Sequence, residues 1–488
     1  MLYVQRVAFA TYLCYHSIYK KSIPMEKFMK KFISLMLIVA LSLSFLPTYA
    51  INDSDVSKIK ESRDKIKQNN LAPAKNKFDY VNMTWWKNFD DRYLDNYIIR
   101  AVENNKDLKM ATLTIDEFYQ NVKMQRANQL PSVTTGFLPG YGEFNGDTAG
   151  SFLFPMIASY ELDLFGKNYN KTQSVRKLYE ASILDERAAY ISIASAVGSV
   201  YINIVKLDAM IDLQTEIVAL RKEIYEMMDL SNKEGITSTS DLVKANSAYI
   251  AGVTDLTELK KQRTQLLHSL AVLIGDSPNN TEEFQRCSWK DLAYKGEIPV
   301  YVSSDIIVNR PDYLKAEKLL EKSGIDVKIA RKECLPSINL GGMYIFKSDK
   351  IGSLLTTSNA LWGLGGGLLW NVFAGGKIKA NLKSKKIAYE KALKNYEKVN
   401  LTSMQEVNDS LVAINMDKEK LLKQQDIQKL EQKDFELSSL KYKEGIISKL
   451  DLNQRKENLL NVNKMVYSSQ FDCMIDYISF YKAVGSKV

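Results

Sequence analysis

The stretch KEGITSTSDL at residues 233–242 recurs as KEGIISKLDL at residues 443–452. Each copy has a glycine where a helix would end in a left-handed C-cap. A serine three residues later can cap a second helix, and an aspartate falls in the positive first turn of that helix. Both stretches are therefore predicted to be tight turns between two helices. The residues concerned are Gly235, Ser238 and Asp241 in the first copy and Gly445, Ser448 and Asp451 in the second.

Two further motifs are repeated on the N-terminal side of these turns. RxxxLPSV at 126–133 recurs as RxxxLPSI at 331–338, and DLFGK at 163–167 is echoed by NVFAGGK at 371–377. The three pairs of motifs keep the same order, and their offsets all lie between 205 and 210 residues. The sequence therefore predicts one internal duplication. Each half would run as helix, two strands, long helix, tight turn and returning helix.

The segments that lead into the two turns are long and free of proline. No proline occurs between Pro155 and Pro278 or after Pro336. Helices over 167 to about 232 and over 377 to about 442 would each be about 100 Å long at the usual rise per residue. Apolar residues step by three and four along the first, with one shift, which predicts a coiled-coil seam: Val197, Val200, Ile204, Leu207, Ile211, Leu213, Ile217, Leu220, Ile224 and Met227.

Two glycine-rich segments alternate with a period of two instead. Five glycines lie between 136 and 150, and nine lie between 341 and 376. In each segment one face is apolar and the other is small or polar, which is typical of strands in membrane barrels. Four strands cannot close a barrel, so self-association in a ring is expected. The apolar face includes Phe152, Phe154, Met156, Tyr160, Leu162, Trp362, Leu364, Leu368 and Trp370.

Glu161 and Asp163 lie on the opposite face, at the end of a predicted strand. We expect them to face the lumen near the junction of barrel and helices, where they would influence the passage of charged solutes. The alternative is that they are solvated strand ends that terminate the lipid-facing surface. The whole period-two pattern also has an alternative, namely soluble hairpins that pack on the helices.

The first fifty residues have the features of an export signal. Residues 1–24 read as an upstream extension, and the stretch from Met25 has three lysines, an apolar core and small residues before Ala50. Cleavage there would start the mature chain at Ile51, without a lipid-bearing cysteine, and would lower the net charge from +9 to +4. No later apolar run suggests a transmembrane helix, so a membrane location would require a barrel.

Composition argues against several other classes of function. Only His16 and His268 occur, and Cys287, Cys334 and Cys473 are far apart in sequence. Histidine-based metal sites, catalytic triads and disulfide frameworks are therefore not indicated. The sequence shows no phosphate-binding loop of the kind that nucleotide-dependent enzymes use. It also shows no basic patch with interleaved aromatic residues that would suggest nucleic-acid binding. We expect no catalysis, no metal and no cofactor.

The sequence resembles the TolC/OprM family of outer-membrane efflux proteins along nearly the whole mature chain. The motifs that carry the resemblance are WWxxFxD at 85–91, YELDLFG at 160–166, LAxLIG at 270–275 and RPDxxxAE at 310–317 with the downstream LPS at 335–337. The resemblance implies a homotrimer with a twelve-strand barrel and a helical periplasmic tunnel. It also implies passive export in partnership with a periplasmic adaptor protein, an inner-membrane pump and outer-membrane lipid, with no nucleic acid.

The same resemblance gives roles to the two turns. It implies that Asp451 and Tyr442 hold the tunnel shut, although Ile447 and Gln454 depart from residues common in relatives. It also implies that the turns meet the adaptor. The residues concerned are Gly235, Ile236, Ser238, Asp241, Gly445, Ile446 and Ser448. The alternative is that the residues of the two turns serve helix capping alone.

The expected fold class is a mixed α and β membrane protein with an internal duplication. The expected boundaries are a cleaved leader (1–50), a periplasmic segment (51–87), a helix (88–130), hairpin 1 (131–165), a helix pair with its tip near 235 (166–277), an equatorial linker (278–309), a helix (310–335), hairpin 2 (336–373) and a helix pair with its tip near 445 (374–488). The expected function is an outer-membrane channel for efflux or type I secretion. The alternative is a secreted coiled-coil scaffold with soluble hairpins.

Overall fold

The computed structural model describes residues 85–144, 147–296 and 304–485. The expected leader, the expected mature start at Ile51 and residues 51–84 lie outside the described residues. The described part is mostly helical and carries one β-sheet.

The described residues form seven α-helices and five strands. The helices are α1 (Arg92–Asn104), α2 (Lys106–Ala127), α3 (Lys167–Lys233), α4 (Thr239–Ile274), α5 (Pro311–Lys332), α6 (Lys377–Lys443) and α7 (Lys449–Val484). The strands are β1 (Ser132–Thr135), β2 (Leu138–Phe144), β3 (Asp147–Leu162), β4 (Ser337–Ser348) and β5 (Ala360–Leu369). Helices α3 and α6 have 67 residues each, and α4 and α7 have 36 each.

The helices pack side by side at two levels along the axes of the long helices α3 and α6. Next to the sheet, α2 and α5 pack on α3, and α5 also packs on α6. Toward the two turns, α4 and α7 pack on α3, and α7 packs on α6. The helix order is therefore α2–α3–α5–α6 at the level next to the sheet and α4–α3–α7–α6 at the level next to the turns. Seam residues such as Val197, Ile204 and Ile217 are buried at these contacts.

The five strands form one antiparallel sheet that is four strands wide, because β1 and β2 lie end to end along the same edge. Strands β1 and β2 both pair with β3, which pairs with β4, which pairs with β5. In the register, Tyr160 lies opposite Leu340 and Leu340 opposite Gly366. Because paired residues of antiparallel strands point to the same side, the register defines two continuous faces.

Two expected elements differ from the structure. The helix expected over 88–130 is broken, because the side chain of Asn105 accepts hydrogen bonds from the first turn of α2 and starts a new helix there. The break makes room for Gly275 at the left-handed end of α4, where an added Cβ would lie 2.6 Å from the carbonyl oxygen of Asn104. The sequence around Asn105 is compatible with a continuous helix, so only the tertiary contact reveals the break.

Hairpin 1, expected over 131–165 as two strands, contains three. The first strand is divided into β1 and β2 opposite Pro155, which has no amide hydrogen to donate to a neighbouring strand. The N–H of Gly136 still donates to the carbonyl oxygen of Pro155 at 3.1 Å. The division therefore interrupts the ladder locally, and both pieces occupy the same edge of β3.

The expectation that no later apolar run could span a membrane is corrected at α3. Residues 188–205 are uncharged, and α3 is long and apolar enough to cross a membrane by length and composition, with a window of mean hydropathy 1.6. More than half of that window is buried inside the protein. Residues such as Ala194 and Ile202 belong to the main hydrophobic core. The apolar run is therefore explained by helix packing.

The tryptophans at the start of the described chain are packing anchors. Trp85 and Trp86 are 2% and 3% exposed. The Trp85 ring stacks on Tyr481 of α7 with centroids 6.3 Å apart. It also covers Gly198 of α3, where an added Cβ would lie 2.6 Å from the indole. The indole thus joins α3 and α7 from one side, and only glycine fits beneath it.

The Arg-Pro-Asp motif joins three helices. Arg310 precedes Pro311, the first residue of α5, and its side chain is only 8% exposed. Its guanidinium donates to Asp312 at 2.9 and 2.7 Å, to Glu406 of α6 at 2.6 Å and to the carbonyl oxygen of Ala483 near the end of α7. The motif therefore fastens the start of α5 to both helices of the second long pair.

Candidate functional site

The two turns have the same backbone geometry. Gly235 and Gly445 adopt left-handed φ angles of 72° and 73°. In each turn the N–H of the next residue donates to the carbonyl oxygen five residues back at 2.8 Å. This Schellman bond satisfies the carbonyls at the helix end. It leaves the side chains of Ile236 and Ile446 in solvent, 77% and 69% exposed.

Each returning helix begins with the predicted serine cap. The Oγ of Ser238 accepts from the N–H of Asp241 at 3.2 Å, and the Oγ of Ser448 accepts from that of Asp451 at 3.1 Å. At the second turn the N–H of Ser448 also donates to the Asp451 carboxylate at 3.2 Å, which completes a capping box. At the first turn the carboxylate of Asp241 instead accepts from Lys244 at 3.1 Å.

Both aspartates are held in the charged form. Hydrogen bonds from Ser448 lower the pKa of Asp451 below its ordinary value. A hydrogen bond from Ser238, followed by the bond and charge of Lys244, lowers the pKa of Asp241. Both side chains are exposed. Each turn therefore presents a carboxylate that stays negative at neutral pH.

Tyr442 and Asp451 are not joined within one chain. The carboxylate of Asp451 is occupied by Ser448, whose hydroxyl donates to it at 2.7 Å. The Nζ of Lys449 lies 5.8 Å from the centroid of the Tyr442 ring. Among the hydrogen bonds between described residues, none connects Tyr442 to Asp451. The structure thus groups Ser448 with Asp451 and places Tyr442 beside Lys449.

Two ion pairs that the sequence did not indicate link the second helix pair to α3 near the turns. Arg221 of α3 donates to Glu457 of α7 at 2.7 and 2.9 Å, and to the carbonyl oxygen of Ala248 of α4 at 3.0 Å. Lys449 lies 3.5 Å from Glu223. These charges look like ordinary helix-surface residues in the sequence, because their partners are more than 200 residues away.

The sheet has one continuous apolar face and a second face that is small or polar next to the helices. The apolar rows are Phe154–Phe346–Ala360, Met156–Tyr344–Trp362, Ala158–Gly342–Leu364 and Leu162–Ile338–Leu368. On the second face the rows next to the helices are Ser159–Gly341–Gly365 and Glu161–Asn339–Gly367, and the rows farther along are Ile157–Met343–Gly363 and Pro155–Ile345–Leu361. The period-two pattern therefore separates the two faces most clearly at the helix end of the sheet.

Glu161 and Asp163 have different surroundings at the end of β3. Lys167 donates to the carboxylate of Glu161 at 2.6 Å. Asp163 lies beyond the strand, and its carboxylate accepts from the N–H groups of Asn168 and Tyr169 at 3.0 and 2.7 Å. Asp163 therefore caps the first turn of α3, whereas Glu161 belongs to the small and polar face of the sheet.

The described residues contain no group of three or more histidine, cysteine or acidic side chains that could hold a metal. Cys287, Cys334 and Cys473 are free thiols. The candidate site is thus formed by carboxylates, serine hydroxyls and exposed apolar residues at the turns, together with the two faces of the sheet.

Solved structures with this fold include an outer membrane channel. The chain is similar to the CmeC outer membrane channel of Campylobacter jejuni, with a TM-score of 0.75 and 24% identity over 82% of this chain and 87% of that one. At this identity the likeness establishes the fold.

Curated relatives are also similar over most of their length. The probable efflux pump outer membrane protein TtgC of Pseudomonas putida is 27% identical over 411 residues, which cover 82% of this chain and 84% of the relative. The cation efflux system protein CusC of Escherichia coli K12 is 25% identical over 423 residues, which cover 86% of this chain and 92% of the relative.

A protein-family model described as outer membrane efflux protein matches residues 98–276 and 302–486. The two matched segments contain both turns, both helix pairs and all five strands. Together they span about three quarters of the sequence. The chain therefore belongs to the outer membrane efflux protein family.

Proposed function

We propose that the protein is the outer-membrane channel of a tripartite efflux or type I secretion system. It conducts substrates passively to the exterior from a periplasmic adaptor and an inner-membrane pump. The observation that carries the proposal is the sheet, which has one apolar face, a second face that is small or polar next to the helices, and two outer edges without a partner strand among the described residues. Such a sheet is stable in lipid only if other chains close it.

Three chains close the sheet in this proposal. Strand β5 of one chain pairs with the β1/β2 edge of the next, so four strand positions per chain give a twelve-strand barrel with cyclic symmetry. The apolar rows face lipid, and the rows with glycine, Ser159 and Glu161 face the lumen. Each half of the chain contributes one hairpin to the barrel, which agrees with an origin by duplication.

The helices support the same assembly. Next to the turns, α4 and α6 are the two outer helices of the row α4–α3–α7–α6. Each of them leaves apolar side chains in solvent in the single chain. Contact between α4 of one chain and α6 of the next would bury them. The exposed residues include Val243, Ile250 and Val253 on α4 and Leu401, Met404, Val412, Met416, Leu430 and Leu437 on α6.

Cell fractionation combined with planar-bilayer recording tests the function. The purified protein should come from the detergent-extracted outer-membrane fraction as a trimer and should form pores of reproducible conductance. Recovery as a soluble protein without conductance would favour the coiled-coil scaffold and would contradict the channel.

The turns are the proposed contact surface for the adaptor. Each presents an exposed isoleucine, Ile236 or Ile446, beside a charged cap. An apolar residue held in solvent by a rigid turn suits a small docking contact. The proposed contact residues are Gly235, Ile236, Ser238, Asp241, Gly445, Ile446 and Ser448.

Asp451 is the proposed gate residue. In a trimer three copies surround the axis where the helices converge, and three carboxylates at that place would attract cations. Tyr442 would contribute its hydroxyl across the turn or to a neighbouring chain. Asp241 would lie at the same level but farther from the axis.

Asp451→Asn should reduce cation selectivity and block by multivalent cations. Asparagine keeps an oxygen that accepts the capping bonds, so the loss reports charge rather than helix fraying. Wild-type selectivity should disappear as the pH falls and the three carboxylates become protonated. Single-channel reversal potentials measure both effects.

Asp241→Asn is the matched control, with the same charge change in the corresponding turn. It should have the smaller effect. Equal effects would mean that both turns line the pore, and an unaffected Asp451→Asn channel would restrict Asp451 to helix capping.

The two faces of the barrel make a second prediction. Leu364→Arg should destabilise the barrel by about 2–4 kcal/mol, because Leu364 lies near the middle of β5 on the apolar face and the change places a charge in lipid. Gly365→Arg, one position away on the opposite face, should instead lower conductance by filling the lumen. Trimer stability on semi-native gels and single-channel conductance separate the two. The opposite assignment of effects would show that the faces are reversed.

A further inference from the structure

The start of α6 carries an unusual concentration of positive charge. The first ten residues of the helix contain five lysines, and the first acidic residue is Glu390. We call these residues the lysine cluster: Lys377, Lys379, Lys383, Lys385 and Lys386. Lys379, Lys383 and Lys386 are exposed and follow the i, i+4, i+7 spacing of a single helix flank.

This arrangement is unfavourable for the isolated helix. The N-terminus of a helix is positive, so cations in the first turns raise its free energy. Farther along the same helix, Lys394, Lys420 and Lys429 each lie within 4 Å of an acidic side chain three residues away. Of the ion pairs formed between described residues, none involves the lysine cluster. Its charge is therefore left for a partner outside the chain.

The lysine cluster directly follows an apolar junction. Trp370, Val372 and Phe373 connect β5 to α6, and they are 58%, 76% and 86% exposed. Leu164 and Phe165 occupy the corresponding place between β3 and α3 and are also exposed. The exposed aromatic and aliphatic side chains thus lie between the apolar face of the sheet and the lysines. This order of residues is typical of the boundary between lipid tails and headgroups.

A cleft between the two hairpin ends completes the surface. It measures about 420 Å³ and is lined by apolar residues and Trp370, by Lys167 and Lys332, and by the carboxylates of Glu161, Asp163 and Glu333. The two amines already have acceptors within the chain, namely Glu161 and the carbonyl oxygen of Gly166. The cleft therefore has no positive charge left for an anion, whereas the lysine cluster forms no ion pair between described residues.

We propose that the junction and the lysine cluster together bind the negatively charged headgroups of phospholipids in the periplasmic leaflet of the outer membrane. The inference rests on the proposed barrel, which places the apolar face of the sheet in lipid. Trp370 and Phe373 lie in the interface, and the flexible lysine side chains reach the headgroup phosphates. The site gives the trimer a preference for anionic over zwitterionic lipid and fixes its depth in the membrane.

Quenching of tryptophan fluorescence by brominated phospholipids tests the proposal. The full-length trimer is reconstituted in vesicles with brominated phosphatidylglycerol or brominated phosphatidylcholine, and Trp362 and Trp370 report the lipid next to the barrel. The wild type should prefer the anionic lipid. The variant Lys379→Gln/Lys383→Gln/Lys386→Gln should lose that preference by on the order of tenfold. High salt should weaken the wild-type preference because it screens surface charge.

The matched control is Lys423→Gln/Lys429→Gln/Lys433→Gln, which removes the same charge from exposed positions of α6 far from the sheet. It should keep the lipid preference. Equal loss in both variants would reduce the effect to net charge and overturn the proposal. An unchanged preference with a shifted reversal potential would place the lysines in the pore and overturn it as well. Conductance of the same preparations tests the channel separately, so a conducting trimer without lipid preference contradicts only the lipid site.

Discussion

Replacing Arg310 by methionine is expected to destabilise the folded protein by about 3 kcal/mol. The guanidinium is buried and joins Asp312, Glu406 and the carbonyl oxygen of Ala483, so its loss separates α5 from α6 and α7 and leaves carboxylates unpaired. The midpoint of thermal unfolding, followed by helical circular dichroism in detergent, measures the effect. Lys315→Met is the matched control, because it removes an exposed pair with Asp185 that is worth 1 kcal/mol at most. Equal shifts in the two variants would contradict the role given to Arg310.

The same variant should change the response to pH. Burial alone would raise the pKa of Asp312, but the hydrogen bonds and charge of Arg310 lower it overall. In the wild type the stabilisation that Arg310 gives to the charged Asp312 is therefore fully present above the ordinary aspartate range. It is lost as the pH falls through the lowered pKa of Asp312. Without Arg310 this lowering is smaller, because only the backbone N–H groups still favour the charged form of Asp312, so the variant should lose less stability than the wild type on acidification. Unfolding midpoints between pH 3 and pH 8 should fall less steeply on acidification in the variant.

Trp85→Ala is expected to cost about 3–5 kcal/mol, because it removes a fully buried indole that joins α3 to α7. Gly198→Ala should cost about 1–3 kcal/mol, although alanine favours helix, because its Cβ would lie 2.6 Å from the indole. The two changes should not add. In the double variant the new methyl group occupies space that the indole has left. The loss of folding stability should therefore be smaller than the sum of the losses in the two single variants.

Gly324→Ala is the control for the glycine substitution. It also lies within a helix, but its nearest neighbour would be the Tyr389 ring at an ordinary 3.6 Å. That variant should be unchanged or slightly stabilised by the gain in helix propensity. Strict additivity of Trp85→Ala and Gly198→Ala would show that the glycine is not required by the tryptophan.

Local chemistry made most of the long elements predictable. The turn motifs contain their own caps, so Gly235, Ser238 and their counterparts could be assigned before any contact was known. The strand faces were also evident, because a period of two separates Leu368 from Gly367 regardless of what either side contacts. The resemblance to the TolC/OprM family was confirmed by the match to the outer membrane efflux protein family.

Features that depend on distant contacts could not be read in the same way. The break at Asn105 is capped locally, but the close approach of Gly275 to Asn104 joins residues 171 positions apart. The pairing of Arg221 with Glu457 joins residues 236 positions apart. The capping box of Asp451 was partly foreseen, but the hydrogen bonds that occupy its carboxylate emerged only from the structure.

The equal lengths of the paired helices have a consequence for the evolution of the protein. Helices α3 and α6 both have 67 residues, and α4 and α7 both have 36, so the two turns end at matching distances from the sheet. A heptad inserted into one helix adds about 10 Å and would push one turn past the other. A bacterium with a wider envelope would therefore need the same insertion in all four helices at once. The length of the helical part can therefore change only in discrete, coordinated steps.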